Sequence, residues 1–494
     1  MAQSFKEPKV SLRLIVDEEK NKVVLAEAGN DFVDVLFSFL MLPIGTIVRL
    51  LENHRKSETV TVGCFSNLYK SVVDMDMDNF ETAACKEMLL YPRGLKDELW
   101  KRFKININPT VGVNKFYTCP NFASCNMCSN FSSSKCKCGR LMNKEILIPE
   151  ADKVADNMKN DVDGVFIRGR YSFIITDDLK VSVDSTGLVL KTLGSLGYAD
   201  VSKLGERLLD IGLGEVLTLL ECIFSSNTPL TDTFLKKQRL HDVSQISKQL
   251  SPRVKEKDEA VLLSLDVIVK KEDMKVLYVE CCEDFVDLLF TFLAVPLESI
   301  WDFTGNNITL GCIGNLHRSL SDLSVIKKTR VSSFSCTLPC YYRCRKQFPM
   351  ITTQEPRVYY RFSNSNVRHS YCLTTKHTTR RMTFVDPKSD YCDRSKDGKG
   401  FVKRGTKFIV SDDLIVTPKI SSSTFSMLKK FQILTDDLEV QAITISNAEA
   451  LNLLTASLVT SSALSSAFGN LIVKKPKEET VSWNPVSKKP KVET

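Results

Sequence analysis

The chain has 494 residues, 43% hydrophobic and 26% charged, with a formal net charge of +8. Together with a mean hydropathy of −0.09, this excludes a collagen, a coiled-coil rod and a wholly disordered chain. At ~100–200 residues per domain, the length implies two to four domains, each long enough to bury a core.

In chain order, the opening MAQSFKEPKVSLRLIVDEEK has no apolar run behind its charges, so no secretory signal is expected. The sixteen cysteines are then expected to stay reduced, in the cytoplasm, the nucleus or both. In that setting clustered cysteines point to metal and scattered ones to core packing. Leu12, Leu14 and Val16 alternate with other residues, a polar turn follows, and Val23, Val24 and Leu25 resume, which predicts a β-hairpin. Asn30 or Asp31 is placed to cap a helix whose apolar face is Phe32, Val33, Leu36, Phe37 and Leu40, with Pro43 ending it. Asp34 falls in the first turn, where a carboxylate favours the positive end of the helix dipole, so a structural role is preferred over a catalytic one. The stretch from Phe32 to Leu51 contains Asp34, Pro43 and Arg49, which suits a buried core segment and not a membrane span.

This block returns. Residues 11–43, SLRLIVDEEKNKVVLAEAGNDFVDVLFSFLMLP, align without a gap to 264–296, SLDVIVKKEDMKVLYVECCEDFVDLLFTFLAVP, with about half the positions identical. Gly63-Cys64-Phe65-Ser66-Asn67-Leu68 matches Gly311-Cys312-Ile313-Gly314-Asn315-Leu316, and Phe173 to Leu179 matches Phe408 to Leu414. The expected organisation is therefore a tandem repeat: 1–235, a charged linker at 236–259, 260–470, and a basic, disordered tail at 471–494. The fold class is α+β. Each repeat is expected to hold a β-hairpin/helix block, an inserted ribbon and a second strand-helix block.

Between these motifs lies KFYTCPNFASCNMCSNFSSSKCKCGR, residues 115–140. Cys125 and Cys128 form a C-x-x-C, Cys136 and Cys138 a C-x-C, and Cys119 stands six residues earlier. Two close thiolate pairs on tight turns are what a tetrahedral zinc ion needs, and Gly139 permits the backbone of such a turn. Five candidates for four places leave either Cys119 or Cys128 to spare. Four thiolates close the coordination shell, so a zinc ribbon here would be structural. Iron–sulfur chemistry is the less supported alternative.

Asp177-Asp178 and Asp412-Asp413 each follow an apolar strand. Paired carboxylates can serve as acid and base, but two acids closing a strand more often form a turn or a cap. In the second repeat the counterpart of the cysteine cluster is eroded. A mixed set of Cys340, Cys344, His369 and Cys372 matches no familiar spacing. Residues 326–385 hold twelve Lys and Arg against the single acid Glu355, a charge of +11. Among them Arg343, Arg345, Lys346, Arg357, Arg361, Arg368, Arg380 and Arg381 are interleaved with tyrosines, a composition suited to single-stranded nucleic acid or to a merely solvated insertion. In the tail, Lys474, Lys475 and Lys477, then Lys488, Lys489 and Lys491, each fit a short nuclear-import pattern.

The DFVDVLFSFLMLP block, the Gly-Cys-x-x-Asn-Leu motif, the cluster ending in Cys138-Gly139 and the PLTDTFL at 229–235 stand in one order along the chain. On them the chain resembles the plant family catalogued as domain of unknown function 674, twice over. The resemblance implies plant origin and supports the repeat boundaries, with no activity, substrate or cofactor to carry across. No P-loop, dinucleotide fingerprint, nucleophile elbow or H-E-x-x-H is present in the sequence. The expectation is a non-enzymatic interaction or scaffold protein with protein partners, no membrane span and one structural zinc. Nucleic-acid binding through 326–385 is one alternative; an enzyme of unrecognised type, with its site between the repeats, is the other.

Overall fold

A computed structural model describes residues 7–54, 62–109, 115–121, 125–146, 164–167, 169–235, 263–304, 312–326, 336–354, 359–362, 367–369, 379–389, 399–420 and 435–473, with a few positions in 422–429. The linker 236–259, Arg357, Cys372, His377 and the six tail lysines lie outside the described residues.

The first half opens with the expected hairpin, β1 (Val10–Asp17) and β2 (Lys22–Ala28). Alternate residues of β1 are buried, and the turn carries Asn21 at φ 47°, a left-handed conformation that Asn tolerates. Helices α1 (Asn30–Met41), α2 (Ile44–His54), α3 (Phe65–Asp74) and α4 (Ala83–Leu90) follow. Then come the short strands β3 (Phe116–Thr118), β4 (Met127–Ser129) and β5 (Lys144–Ile146). Strands β6 (Phe173–Thr176) and β7 (Val181–Val183), α5 (Thr186–Ser195), β8 (Leu204–Ile211), α6 (Leu213–Ser225) and α7 (Pro229–Phe234) complete it.

The second half contains β9 (Leu263–Lys270), β10 (Val276–Cys281), α8 (Glu283–Phe292), α9 (Leu297–Phe303) and α10 (Ile313–Ile326). Next are β11 (Cys336–Leu338), β12 (Ile351–Thr353), β13 (Tyr359–Phe362), β14 (Val367–His369) and β15 (Thr379–Phe384). It closes with β16 (Phe408–Ser411), β17 (Val416–Pro418), β18 (Leu438–Ile445), α11 (Asn447–Val459) and α12 (Ala463–Phe468).

Two five-stranded antiparallel sheets result, ordered β7-β6-β2-β1-β8 and β17-β16-β10-β9-β18. Their inner faces, Leu12, Leu14 and Val16 from one and Leu265, Val267 and Val269 from the other, join a single hydrophobic core with the buried helices. Helix α5 covers part of the outer face of the first sheet, where Leu193 packs with Val24, Leu25 and Ile174.

The halves exchange matching bonds. Ile44 N–H donates to the Val295 carbonyl (3.0 Å) while Leu297 N–H donates to that of Leu42 (3.1 Å). The Asn67 amide donates to the Asp413 carbonyl (2.9 Å), and that of Asn315 to the Asp178 carbonyl (2.7 Å). The Ser71 hydroxyl accepts Val416 N–H (2.9 Å), and the Ser319 hydroxyl accepts Val181 N–H (3.0 Å). A third sheet joins the halves outright. It has the order β14-β13-β15-β4-β3-β5, with β15 parallel to β4.

One capping expectation is corrected. Gly29 occupies the N-cap position of α1 and no side chain caps the helix. Asn30 reaches away instead, donating to the carbonyls of Ile167 (3.3 Å) and Gly169 (2.6 Å).

Candidate metal centre

Strand β3 ends one residue before Cys119, and Cys125 stands two residues before β4, so paired strands deliver the first two thiols. The other two sit on a tight hairpin. There Met142 N–H donates to the Ser134 carbonyl (2.9 Å), Cys136 N–H to that of Arg140 (2.8 Å) and Gly139 N–H to that of Cys136 (2.8 Å). Gly139 turns the chain at φ +81°, a conformation that costs a side-chain-bearing residue strain. The four sulfurs of Cys119, Cys125, Cys136 and Cys138 all lie within 4.8 Å of one another, and Cys119 Sγ is 3.5 Å from Cys138 Sγ. A tetrahedral ion with metal–sulfur bonds of ~2.3 Å holds its sulfurs ~3.8 Å apart, so the donor set and its spacing fit.

Cys128 is not part of the group. Successive residues of a strand face opposite sides. Met127 packs against the cluster, whereas Cys128 is buried with Phe116 and Met382 on the other side. The choice between Cys119 and Cys128 therefore falls to Cys119.

Cys119, Cys125 and Cys136 are buried and Cys138 is exposed. Burial pushes the Cys119 and Cys136 thiols up. The Arg140 backbone amide, helped by the Cys119 thiol, brings Cys138 down to about 7. Met127, Met142 and Val385 wall the cluster, and Val385 comes from the second half. Its N–H donates to the Cys128 carbonyl (2.9 Å), and Thr383 N–H to that of Asn126 (2.8 Å). Residues of both halves thus wall the buried side of the cluster, and it can hold a metal ion.

The sequence model of one family, described as "Protein of unknown function (DUF674)", matches residues 6–448, a span that takes in both five-stranded sheets and the cysteine cluster. The chain belongs to this family. No curated protein and no solved structure matches it.

The paired aspartates of this DUF674 chain serve the fold. Asp177 accepts the backbone N–H (2.9 Å) and hydroxyl (2.7 Å) of Thr231, near the start of α7, and Asp412 does the same for Ser465 of α12 (2.7 and 2.9 Å). Asp178 holds Lys180 (2.7 Å), the Thr176 hydroxyl and the Asn315 amide (3.0 Å). The residue after each pair, Leu179 or Leu414, turns at φ 61° or 63°.

Asp34 and Asp287 do more than favour a helix dipole. Asp34 accepts the amides of Val165 (2.6 Å) and Phe166 (3.0 Å), and Asp287 those of Phe401 (2.7 Å) and Val402 (3.2 Å). Burial pushes both carboxyls up, that of Asp287 to about 7.

Among the described residues, the four cysteines are the one His/Cys/Asp/Glu group placed to hold a metal. Cys344 is buried, its sulfur 3.6 Å from the Thr291 hydroxyl, and Cys340 lines an open cavity of about 410 Å³ with Arg343 and Gln347. Arg343, Arg345 and Lys346 are exposed. Arg361 lies on β13, Arg368 on β14, and Arg380 and Arg381 on β15, all in the sheet that contains β4. Among the described residues, no helix is long and apolar enough to cross a membrane.

Proposed function

We propose that Cys119, Cys125, Cys136 and Cys138 bind one structural zinc ion, and that the chain is a non-enzymatic interaction or scaffold protein. The observation that carries this reading is the convergence of four thiols from two separate turns. Four thiolates fill a tetrahedral zinc shell and leave no position for water or substrate, which favours structure over catalysis. The metal would form a zinc-ribbon-like insertion of the first half and stiffen β3 and β4, the strands that receive β15. We also read the two halves as a tandem duplication, of which the first kept its cysteines. Equal strand order and matched bonds between the halves support this. A nuclear or cytoplasmic setting, with the thiols reduced, is part of the same reading.

Elemental analysis of protein purified without added metal tests it. About one zinc per chain is expected, lost in Cys136→Ser/Cys138→Ser and kept in Cys128→Ser. A metal-free wild type that remains folded would end the proposal.

A further inference from the structure

The four thiols of the metal centre do not meet solvent equally. Cys119, Cys125 and Cys136 are at most 3% exposed, whereas Cys138 is open to solvent at the tip of its hairpin. Among the described residues it is the one exposed cysteine. Lys137 and Arg140, both exposed, flank it and favour an anionic sulfur. A partner is already in place, because Cys119 Sγ lies 3.5 Å from Cys138 Sγ.

The chemistry rests on the zinc site proposed above, where coordination keeps all four sulfurs as thiolates. Oxidation of a thiolate follows access, so hydrogen peroxide, small and uncharged, meets Cys138 first. The Cys138 thiolate attacks one peroxide oxygen, the O–O bond breaks, and a sulfenic acid and a hydroxide ion result. The Cys119 thiolate then attacks the Cys138 sulfur, the S–O bond breaks, and a second hydroxide leaves. Two thiolates have given two electrons to one peroxide, and one disulfide remains. Cys125 and Cys136 alone cannot fill a tetrahedral shell.

The loss is felt beyond the hairpin. Met127, Met142 and Val385 pack on the cluster, and β15 is joined to β4 beside it. The N–H groups of Thr383 and Val385 make that joint, donating to the carbonyls of Asn126 (2.8 Å) and Cys128 (2.9 Å). Without the ion, the packing that supports both bonds is undone. We propose that Cys138 is the peroxide-sensitive thiol of a redox switch. Its disulfide with Cys119 expels the metal and loosens β15 of the second half from β4 of the first.

The test treats the reduced full chain with one equivalent of hydrogen peroxide and follows metal, thiols and backbone together. A chromogenic zinc chelator should register about one zinc released per chain. Thiol titration in denaturant should show two thiols lost, and peptide mapping a Cys119–Cys138 disulfide. A 1,3-diketone present during oxidation should label Cys138 and no other cysteine of the cluster. Amide exchange at Thr383 and Val385 should quicken about tenfold, and dithiothreitol with zinc should reverse it. Cys128→Ser, which alters only the far face of β4, should respond as the wild type does. A disulfide that omits Cys138, a label on Cys119, Cys125 or Cys136, zinc retained, or unchanged exchange overturns the proposal and leaves the zinc site standing. Protein purified free of metal overturns the zinc reading instead; a Cys119–Cys138 disulfide with faster exchange in that protein would support the switch without the ion.

Discussion

Asp287 sits in α8 with its carboxylate turned to the backbone of residues 401 and 402, more than a hundred positions along the chain. Because burial raises its pKa from 3.8 to about 7, the native state keeps a proton that the unfolded chain has already lost. Its contribution to stability is therefore complete below pH ~4 and declines as pH rises towards ~7, beyond which it is flat. Thermal melts should show that decline as the difference between wild type and Asp287→Asn, which cannot titrate. A difference that is constant from pH ~4 to ~7 would contradict the assignment. Asp287→Ala should cost about 1–3 kcal/mol for each buried amide left unpaired. Gly400 and Gly164 exist for the same contacts. A Cβ on Gly400 would run into the Asp287 carboxylate, and one on Gly164 would lie 2.7 Å from Asp34 Oδ2. Gly400→Ala should therefore destabilise by about 1–3 kcal/mol, as overpacking does, measured by chemical denaturation. None of this is visible locally in the sequence, where both acids read as first-turn residues of a helix.

At the scale of elements, periodicity carried the first hairpin and α1, since alternation in β1 and the apolar face of α1 are local signals, and the aligned block extended them to β9, β10 and α8. The metal-site choice was half legible. Spacing named five cysteines, and the alternation of Met127 and Cys128 along β4 would have excluded Cys128 had the strand been recognised. The pairing of β15 with β4 left no trace, because a parallel register between segments some 255 residues apart has no local signature. Contacts between the halves were likewise silent, although the residues that make them, Asn67 and Asn315, are those that the aligned motifs contain. The hydroxyls of Ser71 and Ser319 close matching bonds to strands of the opposite half. Ser71→Ala and Ser319→Ala should each cost about 1 kcal/mol. In the double variant the losses should add to within about 0.5 kcal/mol, as for sites that share no partner. A strongly non-additive double variant in urea denaturation would show that the two contacts are one coupled unit.

At the scale of the molecule, residues from Val10 to Ile472 share one core, and the third sheet is completed only when both halves are present. Residues 1–235 expressed alone should therefore bind a hydrophobic dye and melt with less cooperativity than the full chain; a cooperative, dye-silent fragment would contradict a shared core. The proposed function rests on the four thiols that converge beside the junction of the two halves. Zinc-edge X-ray absorption on the purified full chain tests this most directly. Four sulfur ligands at ~2.3 Å, with no oxygen or nitrogen bound to the metal, are expected, unchanged in Cys128→Ser. A spectrum with mixed oxygen or nitrogen ligands, or one altered by the loss of Cys128, would contradict it.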